Sequence, residues 1–307
     1  MSEADPTART LTLPDGRTLG YALFGAGTGP LVVYLNGTMG SRLEARVADG
    51  VGRRLGFRVV GVDRPGHGLS TMHHPRRFAA FAEDVRALAD HLGASTFGLV
   101  GFSGGGAHAA AIASRLRDRL SRLVLVCPAA PPDATQVQAD RPLGLRLTIA
   151  LIRFTVLHLW LFAALLGWFV RRQGEAFFAR MIRFLPVAGD RTALAQPWFR
   201  QLFADSWREG VRQGARGIAR DLALQLRPWD VPAADPRCPV HQWYGKHDEV
   251  APPSTAMYYE TVFPRATTHI LDGEAHLLLW NHVDEVFAPF AAAADGPRAL
   301  DPVAPGT

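Results

Sequence analysis

Apolar residues along this chain alternate between short runs and helical stripes. "RTLTLPDGRTLGYALFG" reads as two strands around a Pro-Asp-Gly turn, a hairpin from Arg9 to Gly25. "PLVVYLNG", "FRVVGVD", "TFGLVGF", "SRLVLVCP", "CPVHQWYG" and "ATTHILDG" are apolar runs of strand length, as buried strands are. Between them, "SRLEARVADGVGRRLG", "FAAFAEDVRALADHLGA", "GGGAHAAAIASRLRDR", "PSTAMYYETVF" and "HLLLWNHVDEVFAPFAAAA" carry helical spacing, and Gly93 is placed to stop the second of them. This alternation predicts an α/β fold: a mostly parallel eight-stranded sheet with helices on both faces, the hairpin forming its antiparallel edge.

The rhythm lapses from about Pro131 to Pro228, where arginine-rich helical segments surround the run "FTVLHLWLFAALLGWFV". That stretch reads as a helical cap inserted between two strands. The expected division is a sheet core over 8–130 and 229–294, a cap over 131–228, and a disordered tail over 295–307.

Composition narrows the class. A 307-residue chain with 48% hydrophobic and 20% charged residues is a folded globular protein, one large domain with an insertion or two domains. Its two cysteines, Cys127 and Cys238, form neither a disulfide framework nor a metal-type spacing. The opening "MSEADPTART" lacks the apolar core of a secretory signal, so a reducing, cytoplasmic location is expected. No internal repeat and no nucleic-acid signature appears, and no nucleic-acid partner is expected. The sequence leaves the oligomeric state open.

The net charge of +5 is almost all arginine, since Lys246 is the only lysine. Between Arg141 and Arg227 stand 14 arginines and 5 acidic residues, a net of +9 that leaves −4 for the rest. The 17-residue uncharged run inside this segment falls short of the roughly 20 residues of a membrane span. Its flanks also belong to one sheet. The run is therefore expected to be a cap helix whose apolar residues line an acyl pocket. The competing reading is a cap that docks weakly and reversibly on anionic lipid, with Trp160 or Trp168 at the interface.

Chemistry enters at "VGFSGGGAH", Val100 to His108. Gly101-Phe102-Ser103-Gly104-Gly105 spells G-x-S-x-G, the pattern of a nucleophile elbow where a strand turns into a helix. With 9 serines in the chain, chance supplies roughly 0.1 such matches, so neighbouring features decide. Ligands of open α/β sheets bind beyond the carboxyl ends of the strands. Asp248, in "YGKHDEVAPP", and His276, in "DGEAHLLL", each lie just past a later strand. A serine hydroxyl needs a base, and the base needs a third group to fix its tautomer. Ser103, Asp248 and His276 supply all three, in the chain order of an α/β-hydrolase triad.

Each candidate also has a duller reading. Ser103 would be a turn serine, Asp248 a helix-capping loop residue with Glu249 as rival acid, and His276 the opening of the last helix. His269 and His282 sit on a strand and a helix, and His247 reads as a surface neighbour of Asp248. Asp63 and His67 read as turn architecture. His73 and His74 are adjacent and share no helix face, so no metal site is expected, and no cofactor.

On these motifs the chain resembles the α/β-hydrolase family, over nearly its whole length apart from the tails and a variable cap. "NGTMGS" stands where many relatives carry a His-Gly-x-x-Gly oxyanion loop. "VDRPGHGLS" resembles the family's Asp-x-Pro-Gly-x-Gly-x-Ser turn, "GKHDEVAPP" its acid loop and "GEAHLLL" its terminal histidine loop. The resemblance implies a backbone oxyanion hole made by the N–H groups of Gly104 and Thr38. Asn36 replaces the histidine that commonly opens that loop and, with Gly37, would support it.

The expected activity is hydrolysis of an ester, thioester or lactone of a small apolar acyl substrate through an acyl-enzyme. A serine nucleophile argues against epoxide hydrolase or haloalkane dehalogenase chemistry, for which the family calls for aspartate. C–C bond hydrolysis and acyl transfer use the same triad. A ligand-binding or regulatory protein with little turnover is the reading from a different class, and the altered "NGTMGS" loop keeps it open.

Overall fold

Short apolar runs ending in glycine, proline or aspartate become the strands of one sheet. The computed structural model describes residues 6–73, 77–152, 156–229, 231 and 236–291. The strands are β1 (Arg9–Thr12), β2 (Thr18–Gly25), β3 (Leu31–Leu35), β4 (Arg58–Val62), β5 (Phe97–Phe102), β6 (Leu120–Val126), β7 (Val240–Gly245) and β8 (Thr267–Leu271). Their spatial order is β1-β2-β4-β3-β5-β6-β7-β8. β2 pairs antiparallel with both β1 and β4, and the remaining pairs are parallel. The eight-stranded, mostly parallel sheet matches the expectation, with the hairpin at one edge.

Central strands are apolar throughout because both faces are covered. On β3, Leu31, Val33 and Leu35 enter one core, whereas Val32 and Tyr34 enter the other. The side-chain period of two splits each strand between the two layers. Helices α1 (Asp49–Leu55), α2 (Phe78–His91) and α3 (Gly104–Arg115) follow β3, β4 and β5. Among the described residues seven α-helices then separate β6 from β7. They are α4 (Thr135–Asp140), α5 (Leu143–Ile152), α6 (Val156–Gln173), α7 (Glu175–Met181), α8 (Ala188–Ala195), α9 (Pro197–Gly210) and α10 (Arg216–Gln225). Last come α11 (Thr255–Val262), α12 (Leu278–Asn281) and α13 (Val283–Phe287). Helices α2, α3 and α11 cover one face of the sheet, whereas α1, α12 and α13 cover the other. The expected tail, 295–307, lies outside the described residues, as does His74.

Two elements depart from the periodicity. Arg42–Ala48 forms a 3-10 segment ahead of α1, not the first turns of one α-helix. Tertiary bonds hold it there: the Arg42 N–H and guanidinium both donate to Asp63, at 2.8 and 2.7 Å. The expected final helix is broken into α12, α13 and a 3-10 turn at Ala288–Phe290. Pro289 has no N–H to continue a helical ladder, and the Glu274 carboxylate draws Asn281 and His282 aside at 2.9 and 3.2 Å.

The long apolar run becomes α6 over its described part. Leu159, Ala163 and Val170 are buried, and the helix packs against α9 and α10. Among the described residues no helix is long and apolar enough to cross a membrane.

Candidate active site

Ser103 stands between β5 and α3 with φ 52° and ψ −120°. Such a backbone is strained for a residue with a Cβ and persists only where its surroundings over-determine it. Here they do. The Ser103 N–H donates to the Val126 carbonyl at 2.9 Å, and its own carbonyl accepts from Gly106 and Ala129, each at 2.9 Å. The glycines behind it allow α3 to start this close to the sheet. A Cβ on Gly105 would lie 2.2 Å from the Leu35 carbonyl oxygen, and one on Gly106 would lie 2.4 Å from Pro128 Cβ. The serine hydroxyl is thus raised above the sheet on a tight turn.

Loops after β7 and β8 bring the other two candidates to it. His276 Nε2 lies 3.0 Å from Ser103 Oγ, and His276 Nδ1 lies 2.8 Å from Asp248 Oδ2. Asp248 is buried, and its Oδ1 accepts from the Val250 and Ala251 N–H groups at 2.8 and 2.9 Å. All three of these contacts place a nitrogen against a carboxylate oxygen, which suits an ionised acceptor. With Nδ1–H donated to Asp248, Nε2 is left to accept the serine proton. Burial alone would lower the His276 pKa, but the charge and hydrogen bond of Asp248 outweigh it and hold it above the usual histidine value.

The rivals lie elsewhere. Glu249 is exposed, and so is His247, 3.4 Å from Asp272. His269 stacks on Trp243 with ring centroids 4.0 Å apart, and His282 pairs with Glu274 at 3.2 Å. Cys127, Asp248 and His276 offer metal-type ligand atoms within 4.8 Å of one another. Two of the three are bonded to each other, and burial pushes the Cys127 thiol up, so it stays protonated. That chemistry fits proton transfer better than cation binding.

The loop after β3 is fixed from below. Arg64, fully buried, donates to the carbonyls of Asn36 at 2.6 Å, Gly37 at 2.8 Å and Thr38 at 3.1 Å. The Asn36 side-chain amide donates to the same Gly37 carbonyl at 2.9 Å. In a trans peptide the carbonyl and the following N–H point in opposite directions. Two donors on the Gly37 carbonyl therefore turn the Thr38 N–H away from Arg64. The Gly37 N–H is already donated to Glu44 Oε1, at 3.0 Å. Gly104 opens α3, and its N–H belongs to the first turn, whose amides lack intrahelical acceptors. The Thr38 hydroxyl donates to Gln225 Oε1 of α10 at 3.1 Å.

Sequence reasoning missed the support beneath this loop. Arg64 Nε donates to Asp221 Oδ2 at 2.9 Å, and Asp221 Oδ1 meets His108 Nε2 at 2.9 Å. A residue of α10 thus ties the β3 loop to the helix behind Ser103. Arg64 sits in "VDRPGHGLS", where only its neighbours drew notice. Asp63 accepts from Arg42 and from the Leu69 N–H at 2.8 Å, the architectural part expected of it.

Over Ser103 and His276 lies a cavity of about 350 Å³. Thr38 borders it, and α7 to α9 supply Phe178, Met181, Leu194, Phe203 and Trp207. Among the described residues none of α6 lines it, which corrects the expectation that the long apolar run forms the pocket wall. The buried face of α6 is spent on α9 and α10, one layer further out. A larger hollow of about 940 Å³ is lined by the acid loop, including Lys246, Asp248 and Glu249, and by Pro186, Val187 and Arg191. Ser103 does not reach it.

The family model described as "alpha/beta hydrolase fold" matches residues 30–283. A stretch of 110 residues is 36% identical to the sn-1-specific diacylglycerol lipase ABHD11 of Mus musculus, covering 35% of this chain and 36% of that protein. The chain therefore spans about a third of that relative's length. Among solved structures, the esterase EaEST from Exiguobacterium antarcticum superposes with a TM-score of 0.61 at 18% identity, covering 91% of this chain and 96% of that one. A bromoperoxidase from Bacillus anthracis gives 0.62 at 20% identity, covering 92% and 99%. At these identities the likeness is one of fold.

Proposed function

From a chain that belongs to the alpha/beta hydrolase fold family and is a hydrolase, we propose a serine hydrolase acting on an ester, thioester or lactone of an apolar acyl group. The observation that carries this reading is the relay Ser103–His276–Asp248, with contacts of 3.0 and 2.8 Å, opening into a largely apolar cavity. Ser103 Oγ attacks the acyl carbon as its proton passes to His276 Nε2, and Asp248 stabilises the imidazolium. The amides of Thr38 and Gly104 hold the oxyanion. Collapse breaks the bond to the leaving group, which takes the proton back from His276. Water then repeats the sequence on the acyl-enzyme and restores Ser103.

Each preorganised donor to the oxyanion is worth about 3–4 kcal/mol in acyl transfer. Asn36, in the place of the family's usual histidine, supports the reading because its amide braces the Gly37 carbonyl. Cavity size and lining favour medium apolar or aromatic acyl groups. The test is a fluorophosphonate probe followed by a series of p-nitrophenyl esters of increasing acyl length. Labelling at Ser103 with turnover of apolar esters is the expected result. Silence in both assays would favour a binding protein, and preference for small hydrophilic acyl groups would remove the apolar-pocket reading.

A further inference from the structure

The outward face of α6 is apolar where a helix on a globular surface would be polar. Leu157, Leu161, Leu165 and Trp168 follow helical spacing and are 60, 50, 58 and 48% exposed. On α5, Leu143, Leu147 and Leu151 repeat the pattern at intervals of four and are more exposed still. Exposed apolar stretches this continuous mark an interaction surface.

Charge decides what the surface fits. From Arg141 to Gly174 the sequence holds five arginines and no acidic residue. Arg146, Arg171 and Arg172 are exposed, and among the described residues none of them pairs with a carboxylate. Arg172 lies over the Trp168 ring, 5.8 Å from its centroid. Beside the stripe, Leu157 and Trp160 of α6 and Arg216 and Arg220 of α10 line a surface groove of about 310 Å³. Apolar side chains flanked by tryptophan and arginine are the arrangement of a segment lying in a membrane interface.

We propose that this face of the cap docks on an anionic lipid bilayer, with the α6 stripe entering the headgroup layer and Arg216 and Arg220 meeting lipid phosphates. A second copy of the chain fits less well. A twofold contact would bring this face against itself and set like-charged arginines together without an acid between them. No described helix spans a membrane, so the association is peripheral. It needs no turnover and stands apart from the proposed chemistry.

Flotation of the full chain with vesicles tests it, using neutral phosphatidylcholine and phosphatidylcholine with about 30% phosphatidylglycerol. The expected result is binding to the anionic vesicles alone, weakened at about 1 M salt, where the Debye length shrinks to about 3 Å. The double variants Leu161→Ser/Trp168→Ser and Arg216→Gln/Arg220→Gln should each weaken it about tenfold or more. Ser103→Ala should float like the parent chain, which separates failure of docking from failure of the proposed chemistry. Absence of binding to anionic vesicles, or binding that neither double variant alters, would overturn the proposal. So would a dimer in sedimentation velocity that Leu161→Ser/Trp168→Ser dissolves, since the face would then join two copies.

Discussion

Arg64 and Asp221 are both fully buried and meet at 2.9 Å, joining the loop after β4 to helix α10. Removing one partner of a buried ion pair leaves the other charge uncompensated, at a cost of about 3–5 kcal/mol. Arg64 also holds the carbonyls of Asn36, Gly37 and Thr38, so the pair sits beneath the proposed oxyanion loop. Asp221→Asn is expected to lower the melting temperature and kcat together, with KM for apolar esters changed little, because α7 to α9 line the pocket. An unchanged kcat in a destabilised variant would reduce Arg64 and Asp221 to a structural role.

Ser103→Ala should abolish acyl-enzyme formation and leave the fold intact, with residual catalysis of about 10³ over water from binding and the oxyanion hole. His276→Ala should be nearly as damaging, and the double variant little worse, because the groups act as a unit. Intact-mass spectrometry after probe treatment and steady-state kinetics read both. Wild-type turnover in Ser103→Ala would refute the mechanism.

The pH profile follows from His276. Its pKa is held above the reference value of 6.5, and only the neutral imidazole accepts a proton. kcat/KM should therefore rise with pH through a midpoint above 6.5. Asp248→Asn removes the charge that lifts it and leaves burial, which acts the other way, so the midpoint should fall. That variant should also lose on the order of 10⁴ in kcat by favouring the wrong tautomer. If Glu249→Gln were the damaging change instead, the acid would have to be reassigned.

Glu44 gives a separate signature, in stability. Burial pushes its pKa from 4.5 to about 7, against the hydrogen bonds from the Gly37 N–H and the Tyr34 hydroxyl and the field of Arg64. Between those values the unfolded chain loses the proton that the native state keeps. Native protein then binds more protons, so stability falls as pH rises through this window, by about 3 kcal/mol in all. Glu44→Gln should flatten that dependence in denaturant unfolding followed from pH 4.5 to 7. A slope equal to that of the parent chain would show that Glu44 is not its source.

The oxyanion loop separates backbone from side chain. Thr38→Ala keeps the N–H and loses one hydrogen bond to Gln225, so a loss of about tenfold or less in kcat is expected. Asn36→Ala removes a donor from the Gly37 carbonyl and should cost more. The reverse order in single-turnover assays would mean that the Thr38 hydroxyl takes part.

Local pattern determined much of this protein. Strand-length apolar runs and helical stripes place the eight strands and most helices. They place Ser103, Asp248 and His276 each at the end of a strand, because side-chain periodicity and turn residues are short-range properties of the chain. Only the tertiary structure could bring His276 Nε2 within 3.0 Å of a hydroxyl 173 residues away. The same holds for Arg64 and Asp221, 157 residues apart, since a turn motif and a helical stripe do not say which distant side chain each will meet, and the pairing exists only once α10 lies over the β3 loop. The pocket wall was illegible for a related reason. An apolar stripe shows that a helix has a face to cover, not which neighbour covers it, and here α7 to α9 took the place next to Ser103 while α6 lay outside them.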